Sequence, residues 1–364
     1  MTKQDRPLRR GWTTGTCAAA AAKAAFGALI TGEFVDPVEV TLPRGQTPTF
    51  ALALARTEPG SATAGVVKDA GDDPDVTHGA LILATARAGA PGSGVTFRAG
   101  EGVGTVTRPG LAIGPGEPAI NPVPRQMIRD AIVQVATRVG CAGDVEIEIA
   151  VPGGEALARK TLNPRLGIVG GLSILGTTGV VVPYSCSAWI HSIYRGVDVA
   201  RAAGLDHIAG STGSTSEACV QKLYGLPEIA LIDMGDFVGG MLKYVRTHPV
   251  PRVTIAGGVA KISKFAQGLL DLHSKRGAVD LAALAEVARA AGGSDALLAQ
   301  ILAANTAAEA FALAATQNIA LGDQIATAAR ATAARVVEDA GVAVEVVMFD
   351  RTGHLVGRTT FQSR

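Results

Sequence analysis

Between Val66 and Gly79 the chain reads VVKDAGDDPDVTHG, which sets Asp69, Asp72, Asp73 and Asp75 beside Lys68, Thr77 and His78. Carboxylates crowded into one loop repel one another, so such a cluster points either to a charge the protein uses or to a helix end that welcomes acids. Residues 80–88 read as a helix, and one or two of the acids would suffice to cap it. The others are left for a polar active-site loop carrying a base, with Asp69, Asp72, Asp75 and His78 as the candidate proton acceptors. A calcium loop is excluded, because no glycine and terminal glutamate follow at the positions that ion requires.

A second stretch with chemical content is TLNPRLGIVGGLSILGTTG, residues 161–179. Its apolar Leu172, Ile174 and Leu175 read as a short buried strand. Gly170 and Gly171 before it, and Gly176, Thr177 and Thr178 after it, leave backbone N–H groups free to face a ligand. A tight strand-to-helix turn without a ligand fits the same residues. A third feature is Thr14-Gly15-Thr16 ahead of an alanine-rich helix over residues 16–30. A threonine cap is expected there, and the exposed amides at such a helix start either are simply capped or hold an anion.

These groups need a scaffold. A chain of 364 residues is long enough for about two domains. Apolar residues make up 48% but aromatics only 4%, so the core must be built from Ala, Val, Leu and Ile. The net charge of +1 offers no global field for nucleic acid, and no basic stripe with interleaved aromatics occurs. The charged start (Lys3, Asp5, Arg6, Arg9, Arg10) is not followed by a secretory segment, and no apolar run approaches the roughly 18 to 20 residues that span a bilayer. A cytoplasmic protein without a membrane partner is expected. Cys17, Cys141, Cys186 and Cys219 form no C-x-x-C, so buried free thiols are expected rather than a zinc site, and no metal ligands are assigned. Assembly into a homo-oligomer is left open.

Strand-like and helical pieces up to residue 160 read as an α+β domain. From 161 to 280, strands at 172–175, 207–209, 228–233 and 252–256 alternate with helices, the pattern of a Rossmann-like, doubly wound, mostly parallel α/β sheet. Residues 281–364 read as a helical extension ending in a hairpin that packs on the two domains. Ligands of doubly wound sheets bind beyond the carboxyl ends of the strands. The polar strand ends here are 176–179, 210–216, 233–236 and 257–258, giving Gly170, Gly171, Gly176, Thr177, Thr178, Ser211, Thr212 and Asp233 as candidate cofactor contacts.

Such ends fit an adenosine-containing cofactor. The dinucleotide fingerprint is missing, since residues 171–176 have the wrong spacing and the second strand ends in Gly210-Ser211 rather than an acid. S-adenosylmethionine has no pyrophosphate to cradle, so looser glycine loops with hydroxyls and an acid suffice, and Asp233 or Glu217 could hold a ribose hydroxyl. No P-loop, G-x-S-x-G elbow or H-E-x-x-H occurs.

The segments TTGTCAAAAAKAA, KDAGDDPDVTHG, GVGTVTRPGL and KTLNPRLGIVGGLSILGTTGVV, followed by STGSTSE, resemble in content and order the CbiD family, the cobalt-precorrin-5B C1-methyltransferases of cobalamin biosynthesis. The resemblance spans nearly the whole chain. It implies methyl transfer from S-adenosylmethionine to C-1 of a cobalt-containing tetrapyrrole, with cobalt arriving in the substrate. A macrocycle fringed with carboxylates must be gripped locally by a protein of near-zero charge, so Thr14, Thr16, Lys68, Arg108, Lys160, Asn163 and Arg165 become the candidate substrate contacts. An aspartate of the acid loop, or His78, would manage a proton on the ring, in a cleft between the two domains. A nicotinamide-dependent tetrapyrrole reductase and a non-enzymatic tetrapyrrole-binding protein remain the alternatives.

Overall fold

Thr13 starts the first helix, α1 (Thr14–Thr31): its hydroxyl accepts from the Thr16 amide at 3.2 Å, and Gly32 ends the helix in the left-handed conformation with its N–H on the Ala28 carbonyl. Every residue from Cys17 to Ala22 is fully buried, so the helix is enclosed on all sides. Alanine makes that possible, because a small side chain on each face lets neighbouring elements approach the helix axis closely. In this computed structural model, which describes residues 7–362, the chain divides at Ser185/Cys186 into two units. Lys3, Asp5 and Arg6 of the charged start lie outside the described residues.

In the first unit α1 packs on a five-stranded sheet of β1 (Leu54–Glu58), β2 (Ser61–Val67), β3 (Leu81–Ala88), β4 (Val95–Ala99) and β5 (Val145–Ala150), in the order β1-β2-β3-β5-β4. All neighbours are antiparallel except β4 and β5. The helix expected over residues 80–88 is strand β3. Alternation decided it over alanine's helix propensity: Ile82, Ala84 and Ala86 are fully buried against the helical layer, and the residues between them face the other way. A second helix, α2 (Pro122–Val139), completes that layer beside α1. Because β2 pairs with β3 through Val67 and Leu81, the acid loop is the hairpin connection between them rather than a helix cap.

Residues 172–175, expected to open the parallel sheet, stay in the first unit. The Leu172 amide donates to the Gly102 carbonyl and the Ile174 amide to the Ala119 carbonyl, both at 2.8 Å, while Val180–Val181 pairs with Gly11–Trp12. Their partners are distant in sequence, so periodicity alone could not reveal them. The unit boundary accordingly falls after Ser185 rather than at residue 161.

The second unit runs α3 (Cys186–Ala202), β6 (His207–Ser211), α4 (Ser214–Tyr224), β7 (Leu231–Asp233), α5 (Val238–Thr247), β8 (Arg252–Gly258), α6 (Val259–Ala266), then helices α7 (Leu281–Ala290), α8 (Asp295–Ala303), α9 (Ala307–Thr316) and α10 (Leu321–Val337), and finally β9 (Ala343–Phe349) and β10 (Leu355–Arg358). The strand order is β7-β6-β8-β9-β10, with the first four parallel and β10 antiparallel. Successive residues of the central strands point to opposite faces. Ile208, Ile255 and Val346 pack with α3, α5, α6 and the later helices, whereas Ala209, Ala256 and Val347 pack under Val220 of α4. Helices therefore cover both faces, as in doubly wound folds. The C-terminal hairpin differs from its expected place: β9 lies in register along all of β8 and is an integral strand of the sheet, not an appendage.

Candidate functional site

Three segments far apart in sequence meet in the first unit around one recess. It is lined by Thr13 and Thr14 at the start of α1, by Lys68, Asp75, Val76 and Thr77 of the β2–β3 connection, and by Thr161, Asn163, Leu172, Ser173, Leu175 and Val181. It is open to solvent, with a cavity volume of about 130 Å³. Of the sequence candidates it gathers Thr14, Lys68, Asp75 and Asn163. Thr13, Thr161 and Ser173 were not foreseen; Thr13 carries a sequence signal as the residue ahead of the alanine run, while the other two reach the recess only through tertiary closure.

The electrostatic centre of the recess is an ion pair. Lys68 continues the β2–β3 ladder through its amide and carbonyl, which bond to Ala80 and Gly79, and its side chain is only 1% exposed. Its Nζ lies 2.7 Å from Oδ2 of Asp75, which is 26% exposed. The Thr77 amide and hydroxyl donate to the other carboxylate oxygen at 2.7 and 2.6 Å. Burial alone would raise the Asp75 pKa, but the Lys68 charge and the hydrogen bonds from Lys68 and Thr77 outweigh it, holding the carboxyl below its ordinary value.

The other loop acids are tied into the scaffold. Asp69 forms a two-pronged pair with Arg9 and accepts from the Gly71 amide; the Arg9 hydrogen bond, the largest cause, helps hold its pKa at about 2. Asp72 accepts from the Arg9 amide at 2.7 Å and Asp73 from the Tyr184 amide at 2.8 Å. His78 Nδ1 accepts from the Ala70 amide at 3.1 Å, so the neutral ring carries its proton on Nε2. These contacts fasten the strand at Gly11–Trp12 and the chain near Tyr184 to the loop, and only Asp75 among the candidate bases lines the recess.

The helix start is similarly committed. The Gly15 amide donates to the Leu175 carbonyl at 3.0 Å, the Thr14 hydroxyl bonds both the Leu175 amide and carbonyl, and buried Thr16 donates to the Gly179 carbonyl at 2.7 Å. The protein itself thus supplies partners that an anion would otherwise provide. The glycines around it are packing requirements: a Cβ at Gly171 would sit 2.2 Å from the Gly102 carbonyl oxygen, and one at Gly176, whose φ is +138°, would sit 2.3 Å from the Thr13 hydroxyl. Gly170, with φ +86°, is exposed, as is Thr177, and the Thr178 hydroxyl bonds the Val180 carbonyl. Asn163 donates to the Gly171 carbonyl and accepts from Ser173, bracing the wall of the recess. Arg108 is exposed beside Gly167, and Arg165 is half-buried; neither lines the recess.

A second polar locus lies in the second unit, at the carboxyl ends of β6, β7 and β8. Sequence-consecutive strands part company here, since β7 pairs on one side of β6 and β8 on the other, which makes this the topological switch point of the sheet. Ser211 ends β6, and its hydroxyl is buried without a hydrogen-bond partner among the described residues. Lys261 donates to the Thr212 carbonyl at 2.7 Å and lies 3.1 Å from Asp236, while the Asp233 carbonyl accepts from the Trp189 indole at 3.0 Å. Ser211, Thr212 and Asp233 are therefore brought together, and Asp236 and Lys261 join them. The five other candidate cofactor residues belong to the first unit. Among the described residues the cysteines are free, but only Cys17 is fully buried; Cys186, expected to be buried, is exposed at the start of α3. No helix among them is long and apolar enough to cross a membrane.

Comparison with known proteins bears on both units. Residues 1–183 match the CbiD family and residues 271–360 the CbiD C-terminal domain. Proteins named cobalt-precorrin-5B C(1)-methyltransferase are similar over almost their full length: that of Bradyrhizobium sp. (strain BTAi1 / ATCC BAA-1182) is 63% identical over 97% of this chain and 94% of its own, that of Agrobacterium fabrum 62% identical over 99% and 95%, and that of Halorhodospira halophila 61% identical over 96% and 94%. A 1.9 Å crystal structure of a cobalamin biosynthesis protein (CbiD) from Archaeoglobus fulgidus is 30% identical, with a TM-score of 0.41 over 71% of this chain and 80% of that one.

Proposed function

This chain belongs to the CbiD family, and from that premise we propose that it methylates C-1 of cobalt-precorrin-5B, giving cobalt-precorrin-6A in cobalamin biosynthesis. The observation that carries this reading is 62% identity over 99% of the chain to a relative with that activity in its name. Cobalt enters with the substrate.

The methyl donor of this reading is S-adenosylmethionine, whose sulfonium supplies an electrophilic methyl group to an electron-rich ring carbon. The second unit is the part of the chain that fits it. A Ser211 hydroxyl that is buried without a partner among the described residues, the Thr212 turn, and the acids Asp233 and Asp236 stand together at the switch point, and hydroxyls and acids suit a ribose and a cationic centre. The macrocycle is assigned to the first unit, where the recess combines hydroxyls, a buried ion pair and apolar walls. Positioning is the main work left to the protein, since a carbon nucleophile of the ring needs no activated side chain to attack a sulfonium. Asp75 is the loop acid that lines the recess, kept ionised by Lys68 and Thr77. With the three other loop acids engaged in fastening the scaffold, its conversion to asparagine should depress turnover more than that of Asp72.

Calorimetric titration of the purified protein with S-adenosylmethionine and with NADPH tests the assignment. Binding of the first and not the second is expected. Binding of NADPH alone would point to a reductase, and binding of neither to a tetrapyrrole-binding protein without catalysis.

A further inference from the structure

The Lys68 ammonium has three N–H donors but a single carboxylate oxygen as partner among the described residues, although its side chain is 1% exposed. Taking an ammonium out of water costs several kcal/mol unless its donors are satisfied. Asp75 compensates the charge and one donor. It cannot bring a second oxygen, because Oδ1 is held by the amide and hydroxyl of Thr77. Lys68 lines a recess whose other polar side chains, Thr13, Thr14, Thr77, Thr161, Asn163 and Ser173, are engaged with backbone, with Asp75 or with each other. Lys68 is therefore the group in this recess with unspent capacity to bind.

The surroundings narrow the ligand to an acceptor of low charge. Because Asp75 already neutralises Lys68, a dianion such as phosphate would meet an uncompensated carboxylate, whereas a monoanionic carboxylate adds one charge shared between two N–H donors. Val76, Leu172, Leu175 and Val181 line the same recess and suit the methylenes of a short aliphatic stem. We propose that this recess is the receptor for one carboxylate side arm of the tetrapyrrole, with Lys68 as the group that holds the carboxylate and Asp75 as its fixed counter-charge. The proposal rests on the reading of the chain as a methyltransferase acting on a carboxylate-fringed macrocycle, and it fixes one edge of that macrocycle in the first unit.

Two measurements on the full-length protein test it. In protein carrying 15N-lysine, cobalt(III) cobyrinic acid, which bears free carboxylate arms, should shift the Lys68 ammonium resonance, and cobinamide, whose arms are amidated, should leave it in place. The charge-balanced variant Lys68→Met with Asp75→Asn should raise KM for cobalt-precorrin-5B by about 10-fold or more, the loss expected for one charge-assisted hydrogen bond, while its thermal midpoint shows that it folds. An unshifted Lys68 signal in protein that binds cobyrinic acid, or a folded variant with unchanged KM, overturns the receptor assignment alone. Failure of the wild-type protein to bind either corrinoid or to methylate the precursor overturns the methyltransferase reading and this inference with it.

Discussion

Breaking the Lys68–Asp75 pair from its two ends should have unequal costs, and the inequality follows from burial. Removing one member of a buried ion pair typically costs about 3–5 kcal/mol, because the survivor is left charged in a poor solvent. Asp75→Asn strands an ammonium that is 1% exposed, so it should lie in that range. Lys68→Met strands a carboxylate that is 26% exposed and keeps both hydrogen bonds from Thr77, so water and those donors should reduce the loss to about 2 kcal/mol. In that variant burial, already the largest influence on Asp75, is no longer opposed by the Lys68 charge. Asp75 then protonates more easily, and the penalty should shrink as pH falls toward 4. Replacing both residues with Met and Leu should be close to neutral, since a well-packed apolar pair avoids desolvation altogether. Urea unfolding followed by Trp12 fluorescence in a Trp189→Phe background isolates the first unit, where Trp12 packs edge-on against Phe50. Equal costs for the two single variants, or a double variant as unstable as the worse single, would refute the reasoning.

Other outcomes follow from local geometry. Gly171→Ala, which drives a Cβ against the Gly102 backbone, should cost on the order of 3 kcal/mol, whereas Gly27→Ala in α1, where a Cβ meets nothing, should gain up to about 1 kcal/mol; thermal melts compare them. The Asp69 carboxyl is depressed to about 2 mainly by the Arg9 hydrogen bond, so its contribution is present above the ordinary carboxylate pKa of about 4 and lost as pH falls from there to about 2. Arg9→Ala should therefore narrow its stability gap to the wild type across that window, and a gap independent of pH between 4 and 2 would exclude the pair as its source. Burial pushes the Cys17 thiol up to about 12, so thiol reagents at pH 8 should label exposed Cys186 in the folded protein and spare Cys17, a pattern that peptide mass mapping reads directly.

What the sequence disclosed was what local rules govern. The threonine-capped alanine helix and the alternation of strands and helices after residue 200 arise from capping and periodicity; the structure has both, with the cap moved back to Thr13 and the helix beginning at Thr14. Residues 80–88 misled because Ala84, Ala86 and Ala88 are good helix formers, while the alternation that makes them a strand rests on a partner, β2, and on the distant helix α1. Residues 161–179 misled for a related reason. Gly171 lies against Gly102 and Gly176 against Thr13, so these glycines report close backbone approach, which cannot be told from ligand approach without the fold. The acid loop was legible as a cluster but not in its division of labour: Asp72 and Asp73 fasten backbone, Asp69 pairs with Arg9, and only tertiary closure shows Asp75 turned toward Lys68 and the recess. Four of the eleven proposed catalytic and substrate-contacting residues reach that recess, drawn from three segments that no linear motif connects.

The central claim is the transfer of a methyl group to one ring carbon. Incubating the protein with cobalt-precorrin-5B and S-adenosylmethionine carrying a 13C-labelled methyl group, then recording the carbon NMR spectrum of the product, tests it most directly. A single labelled methyl resonance at C-1, formed together with S-adenosylhomocysteine, is predicted. Unlabelled product, or label at any other ring position, would contradict it.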